Sequence, residues 1–440
     1  MTAGQDGKGA RMASPLKVAV AGLGTVGSGT IKLLQQNADR LTERLGRTIL
    51  ITAVCDKDHS PRDYPVDGYR WYDDAIRMVA ETDADVIVEL IGGAEGPARA
   101  VCERALAAGR HVVTANKALI AHHGMALAAT AEANGVTLAY EAAVAGGIPI
   151  IKTLREGLIG NERRQVFGIL NGTCNYILTG MRDTGREFEA VLAEAQALGY
   201  AEADPSFDVD GIDTAHKLAI LATVAFGCTL DFKAVHVEGI RHVSPVDIAY
   251  ADELGYRIKL LGIAALTDRG VERRVHPCMV PAGAQIAHVE GVFNALVVDG
   301  DFVDTVVQVG RGAGERPTAS AVVADIADIA RGTRQPTFGV SVRHLRPLAA
   351  APMASHRGAY YVRLMVVDRP GVFADIASIL RDNDVSMEAV LQRGRAPGEA
   401  VPVVMTIHET EEAAMVKSLQ QIQALSWVVE PPRMIRIELI

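Results

Sequence analysis

The chain has 440 residues, of which 49% are hydrophobic and 22% charged, material for about three domains with cores of their own. Its net charge of −9, without a basic block or an Arg/Lys stripe, argues against nucleic acid and acidic membranes as partners. No apolar run of membrane-spanning length is free of charges or turn residues, and the five cysteines (Cys55, Cys102, Cys174, Cys228, Cys278) form no CxxC pair, so a cytoplasmic protein without disulfides or structural zinc is expected.

Residues 1–13 are polar and Gly-rich, lack the apolar stretch of a signal peptide, and are expected to fray. Next comes LKVAVAGLGTVG, a β-rich run leading into Gly22-Leu23-Gly24-Thr25-Val26-Gly27, followed by helical spacing from Thr30. A strand before G-x-G-x-x-G and a helix after it give each glycine a task. They make the tight turn, let backbone approach a pyrophosphate, and allow close helix–strand packing. The second strand, ILITAVCD, ends at Asp56, where this fold places a ribose-reading acid.

Alternation then continues. A helix is expected near 73–80, a strand at DVIVELIGG, a helix at 97–108, a strand at HVVTANK, a helix at 122–133 and a strand at VTLAYEAAV. This predicts an α/β, Rossmann-type doubly wound parallel sheet over 14–146, with ligands at the C-terminal strand ends. Ile91, Gly92 and Lys117 sit at such ends, and Lys117 is expected to face the nicotinamide side of the cleft. A solvated lysine at a helix start is disfavoured, because a helix N-terminus repels cations.

A second, α+β domain is expected over 147–331, with a Pro149-started helix, strands near 163–170 and 234–243, and strand-like stretches GIAALTD and RRVHPCMVP. Its most informative segment is DVDGIDTAHK, which crowds Asp208, Asp210 and Asp213 ahead of Lys217. One reading is a helix start, with Asp210 as cap, Asp213 at the capping-box position, and Lys217 pairing with it at i, i+4. The other is an active site. Chemistry on a bound dinucleotide needs a group that moves a proton, plus charged groups that hold the substrate. Asp210 fits the plain cap; Asp213 and Lys217 are assigned to the site. Cys174, in NGTCNY, is read as a packed residue, since no His partner pattern supports a nucleophile. GRGAGERPT, before the helix ASAVVADIADIA, either closes over phosphates or simply turns the chain.

A linker over 332–358, partly returning to the nucleotide domain, precedes a third unit over 359–440 with strands and helices in βαββαβ order. Its DRPG segment puts Pro370 near the first helical turn and Gly371 where backbone can approach closely.

The segments GLGTVG, VELIGG, VVTANK, EAAVAGGIPII, ILNGTCNYIL, LGYAEADPSFDVDGIDTAHKLAIL and GRGAGERPTASAVVADI, in this order between about residues 16 and 345, resemble homoserine dehydrogenase. The βαββαβ unit is similar to the ACT regulatory domain, with an inert dimerisation module as the plainer reading. The resemblance implies reversible NAD- or NADP-dependent reduction of L-aspartate 4-semialdehyde to L-homoserine, on the route to threonine, methionine and isoleucine. It implies that Lys217 donates the proton, that Lys117 binds and polarises the substrate, that Glu202 and Asp213 hold homoserine, and that Asp208 orders the site. It also implies Gly312 and Gly314 over the cofactor phosphates, and a sodium or potassium ion on the Glu141 carboxylate and the carbonyls of Val144, Gly146 and Ile148. Control by an amino acid, with L-threonine first, is implied for the C-terminal unit. A homodimer or homotetramer is expected, and with no aspartokinase-like segment ahead, a monofunctional enzyme. One departure stands out: relatives that prefer NADP carry an arginine where this chain has Cys55, so use of both cofactors is expected, with Lys57 or Arg62 near a 2′-phosphate. The alternatives are a catalytically inactive amino-acid sensor, disfavoured by the presence of both lysines, and an oxidoreductase of another semialdehyde or sugar, disfavoured by the Glu202, Asp213 and Lys217 set.

Overall fold

The computed structural model describes residues 13–393 and 398–440. The expected tail lies outside them save for its last residue, as does Gly394 at the end of the expected strand 385–394. Two compact units are formed, one by residues up to Ile159 with Gly312–Arg346, the other by Gly160–Arg311 with Pro347–Ile440.

In the first unit, apolar runs and helical segments alternate as β1 (Leu16–Ala21), α1 (Thr25–Gln36), α2 (Ala38–Leu45), β2 (Ile49–Cys55), β3 (Arg70–Tyr72), α3 (Ala75–Glu81), β4 (Val86–Glu89), α4 (Pro97–Ala107), β5 (His111–Thr114), α5 (Lys117–Ala133) and β6 (Leu138–Ala139). The six strands are parallel in the order β3-β2-β1-β4-β5-β6, the doubly wound arrangement with its reversal beside β1. Such a sheet is covered on both faces, and Val18, Val20, Val86 and Val88 are accordingly fully buried. Helix α5 starts at Lys117, five residues before the expected 122, because Asn116 caps it by accepting the Leu119 amide at 3.0 Å.

The expected boundaries at 146/147 and 331/332 do not coincide with this division. After β6, the short α6 (Ile150–Lys152) runs into a π-helical turn, Thr153–Gly157, and stays in the first unit. A long helix far downstream, Glu315–Arg331, joins it too, placing Val322 and Ile326 in the same core as Val20 and Ile31. A Cβ on Gly29 of α1 would lie 2.6–2.8 Å from Glu315, which shows how closely these helices approach. Ser341 and Val342 of the expected linker bond Glu132 of α5, so that stretch does return to the nucleotide unit.

The second unit contains β7 (Arg163–Ile169), α7 (Gly172–Thr184), α8 (Phe188–Ala197), α9 (Ser206–Val209), α10 (Ile212–Phe226), β8 (His236–Val237), α11 (Pro245–Glu253), β9 (Tyr256–Thr267), β10 (Gly270–Pro281), β11 (Phe293–Gly300) and β12 (Asp304–Arg311). After the excursion of α12 (Glu315–Arg331) into the first unit, it resumes with β13 (Arg357–Val367), α13 (Val372–Asp382), β14 (Met387–Gln392), β15 (Ala400–Glu411), α14 (Glu412–Gln423) and β16 (Arg433–Ile437). The βαββαβ order is as expected. Gly371 is the N-cap of α13 at φ 96°, and Pro370 stands immediately before it, near the first helical turn as expected.

These strands make one ten-stranded sheet, β12-β11-β7-β9-β10-β16-β13-β15-β14, with β8 beside β10. The closing strand β16 runs parallel to β10, pairing Cys278 with Arg436 and Met279 with Ile437. The expected strand 234–243 shrinks to β8, because the chain leaves β10 after Val237.

Candidate active site

In the nucleotide unit, the glycine loop has the geometry its spacing predicts. A Cβ on Gly27 would sit 1.9 Å from the Gly22 carbonyl oxygen, so only glycine permits the helix to pack there, whereas nothing lies within 4 Å of one on Gly24. Helix α1 begins at Thr25 with Gly24 as N-cap and no side-chain cap, leaving the first-turn amides of Thr25, Val26 and Gly27 for an outside acceptor. A dinucleotide pyrophosphate fits that open, uncapped terminus.

The neighbouring strand ends are tied together by a residue the sequence did not single out. Glu89, fully buried, accepts the amides of Ile91 at 2.8 Å and Gly92 at 3.0 Å and the Thr114 hydroxyl at 2.6 Å. Asn116 donates to the Gly93 carbonyl at 2.7 Å, so the loops bearing Ile91, Gly92 and Lys117 form one hydrogen-bonded set. An acid inside the apolar run DVIVELIGG was the available signal. Gly314 is the N-cap of α12 at φ 114°, and the Gly312 carbonyl lies 2.9 Å from where a Cβ on Gly146 would be, so the glycine turn packs on the 141–148 loop.

Asp56 turns inward. Its carboxylate accepts the Leu23 amide at 2.6 Å and the Asp58 amide at 3.0 Å, stabilising the glycine loop itself. Arg62 donates to the carbonyls of Leu23 and Asp58 at 3.1 and 2.6 Å. Lys57 is exposed, and Cys55 is only 5% exposed. Glu141 is also engaged: its carboxylate accepts the amides of Ile151 and Lys152, each at 2.9 Å, at the start of α6. Burial, followed by repulsion from Asp325, pushes it up to about 8. An ion on the expected set of the Glu141 carboxylate and the carbonyls of Val144, Gly146 and Ile148 would compete with these two amide bonds at the carboxylate.

In the second unit, the DVDGIDTAHK segment does start a helix, α10 at Ile212, but the residue at its N-cap is not an aspartate. Gly211, at φ 84°, is the N-cap of α10 and provides no side-chain cap. Asp210 pairs with Arg241 instead, so its expected capping role is corrected. Asp213 is buried on α10. Its Oδ2 accepts Lys217 Nζ and Asn171 Nδ2, each at 2.7–2.8 Å. Lys217 also donates to the Leu170 carbonyl at 2.7 Å. The side chains of Lys217 and Asp213 are 9% and 3% exposed, so this is a buried pair and not a surface one.

Asn171 organises the cluster. Its Oδ1 caps α7 through the Cys174 amide at 2.8 Å, while its Nδ2 bridges Asp208 and Asp213, both at 2.8 Å. The phrase NGTCNY contained this residue, yet nothing local marks its amide as a bridge. Cys174 is fully buried, its thiol donates to the Asp208 carbonyl at 3.2 Å, and burial pushes it well above the ordinary thiol range, in keeping with a packed residue. His216 stacks on Phe207 at 5.5 Å and on Phe232 at 4.3 Å, anchoring α9 to α10 beside Asp208. Glu202 stays apart. It lies exposed in the turn before α9, its carbonyl held by Gln196 at 2.9 Å, and its carboxylate makes no hydrogen bond or ion pair among the described residues. The structure thus joins Asp208, Asp213 and Lys217, with one N–H of the ammonium left over and a free carboxylate at Glu202.

A buried ammonium set among carboxylates is suited to protonating an alkoxide and holding an amino acid. Comparison with known proteins agrees with that chemistry. Residues 149–327 match the family model described as homoserine dehydrogenase, 22–141 match its NAD binding domain, and 360–425 match the ACT domain. A homoserine dehydrogenase of Neisseria gonorrhoeae is 44% identical over 96% of this chain and 99% of its own length, and one of Pseudomonas aeruginosa is likewise 44% identical over the same shares. The crystal structure of a homoserine dehydrogenase from Thiobacillus denitrificans superposes with a TM-score of 0.92 at 44% identity, covering 98% of this chain and all of the other. A hyperthermophilic archaeal homoserine dehydrogenase in complex with NADPH superposes with a TM-score of 0.61 at 27% identity over 72% of this chain and 97% of the other. The chain belongs to the homoserine dehydrogenase family, with a nicotinamide dinucleotide-binding domain and a C-terminal ACT domain.

Proposed function

We propose that this enzyme interconverts L-aspartate 4-semialdehyde and L-homoserine, on the route to threonine, methionine and isoleucine. The observation that carries this reading is Lys217, a buried ammonium bonded to Asp213 and to the Leu170 carbonyl. Bound NADH or NADPH supplies the hydride to the aldehyde carbon. Lys217 delivers the proton to the carbonyl oxygen, which Lys117 polarises. Asp213 and the free carboxylate of Glu202 hold the substrate ammonium, and Asp208 is kept in place by Asn171. A sodium or potassium ion would rest on the carbonyls of Val144, Gly146 and Ile148, ordering the 141–148 loop. The protein works in the cytoplasm as a homodimer or homotetramer; among its described residues no helix is long and apolar enough to cross a membrane.

The amino-acid effector is L-threonine, for which the loop after β13 offers a cavity of about 400 Å³ lined by Asp368, Pro370, Gly371 and Gln392. Purified protein is expected to reduce both NAD and NADP when given L-homoserine, and added L-threonine is expected to slow it. Absence of homoserine-dependent reduction of either cofactor would refute the reading, and indifference to threonine would refute the effector assignment alone.

Cofactor choice gives a sharper expectation. Arginine at Cys55, the obvious change from sequence, would force a guanidinium into a buried strand position, so phosphate recognition falls to exposed Lys57. Lys57→Ala is expected to shift the NADP/NAD ratio of kcat/KM towards NAD by roughly tenfold, about the worth of one charge-assisted contact. Measured at fixed ionic strength, an unmoved ratio would place phosphate recognition elsewhere.

A further inference from the structure

Arg436, on β16, is 2% exposed and binds two carboxylates from opposite sides of the sheet seam. Within the ACT domain it pairs with Glu412 at the start of α14, Nε to Oε2 at 3.0 Å, and the Tyr360 hydroxyl donates to the same carboxylate at 3.0 Å. Its two terminal nitrogens donate to both oxygens of Glu238, at 3.0 and 2.9 Å. Glu238 is outside the ACT domain, in the stretch after β8, and its amide is held by the Val275 carbonyl at 2.7 Å.

Immediately beyond Glu238, the chain is strapped to the substrate segment. The Ile240 amide donates to the Val209 carbonyl at 2.9 Å. A Cβ on Gly239 would stand 2.2 Å from the Val209 carbonyl oxygen and 2.5 Å from the Asp210 Cα, so the two backbones are in direct contact and only glycine fits. Arg241 then grips the Asp210 carboxylate and the Ser206 hydroxyl, the latter at 3.0 Å. Residues 206–210 contain Asp208, which Asn171 links to Asp213 and so to Lys217.

We propose that Glu238 and Arg436 are positioning residues for the homoserine-binding cluster, and that strap 238–241 carries to it whatever displaces the closing strand of the ACT domain. Every link is a charge-assisted bond or a backbone contact, so a shift of β16 relative to β10 moves residues 206–210 instead of being absorbed by soft packing. The proposal rests on the homoserine dehydrogenase reading, which the wild-type assay tests by itself.

The experiment is steady-state kinetics and thermal unfolding of Glu238→Ala and Glu238→Gln in the full-length protein. The Glu238 side chain is 41% exposed, so truncating it opens no core cavity. Glu238→Ala is expected to raise KM for homoserine by about tenfold with KM for the nicotinamide cofactor unchanged, and Glu238→Gln, which can still accept from Arg436, to raise it less. Gly239→Ala is expected to reproduce the same split through the backbone contact. Homoserine KM within about twofold of wild type in folded Glu238→Ala overturns the proposal. So does an equal rise in both KM values, or a fall in thermal stability alone, since either would mark a merely structural bridge. A wild type inactive on homoserine would instead refute the underlying reading.

Discussion

Lys217→Ala is expected to lower turnover of homoserine by about 10²- to 10⁴-fold, the range covered by a positioned general acid, while the protein still binds its nicotinamide cofactor. In the proposed mechanism the lysine is the acid, and its ammonium is held by Asp213 and the Leu170 carbonyl, each at 2.7 Å. Deleting it also leaves Asp213 buried beside Asn171 without a cation, and breaking a buried pair costs about 3–5 kcal/mol. A second variant separates the two effects. Lys217→Arg keeps the charge and its hydrogen bonds, but a guanidinium does not release its proton at working pH. It is expected to retain thermal stability and cofactor binding and still lose turnover. Near wild-type kcat in either variant would remove Lys217 from proton transfer.

Asp213→Ala is expected to be the next most damaging change, lowering kcat/KM for homoserine by about 100-fold, equivalent to about 2.7 kcal/mol of transition-state binding. Asp213 is 2% exposed and accepts from both Lys217 and Asn171, so on the proposed reading its loss removes a substrate ligand and releases the ammonium of Lys217. Asp213→Asn keeps an acceptor without the charge and is expected to fall between, mainly through KM. If homoserine KM and kcat were unchanged in both variants, the carboxylate would have no part in substrate use. A drop in melting temperature with intact kinetics would leave it a purely structural partner of Lys217.

The contrast between Asp213 and Asp210 shows where sequence reading reaches. A lysine four residues after an aspartate on one helix must lie on the same face, so the Asp213–Lys217 pair was legible from spacing. Whether it was buried was not, because burial depends on β7, α7 and the sheet beneath α10. Asp210 looked like a cap by the same local logic, yet Arg241, thirty-one residues on, claimed it and Gly211 took the cap position. Asn171 and Glu89 were missed for a related reason. Each bridges groups from separate elements, helices for Asn171 and adjacent strand ends for Glu89, and such convergence leaves no periodicity in the chain.

The glycine fingerprint, the strand–helix alternation of the nucleotide unit and the βαββαβ order of the C-terminal domain follow from sequence by itself. They arise from interactions a few residues apart: a helix that must pass close to its strand, side chains that repeat with the pleat or the turn, and turns that need positive φ. Where the units divide was decided only in three dimensions. Helix α12 leaves the second unit to pack against α1, nearly three hundred residues upstream, where Lys32 meets Glu315 at a separation of 283 positions. Strand β16 likewise joins the ACT domain to β10 by pairing Arg436 with Cys278. Both contacts are between surfaces that bury apolar area equally well against several partners as far as local sequence is concerned. The selection is made by the chain's total packing, which no short window of residues contains.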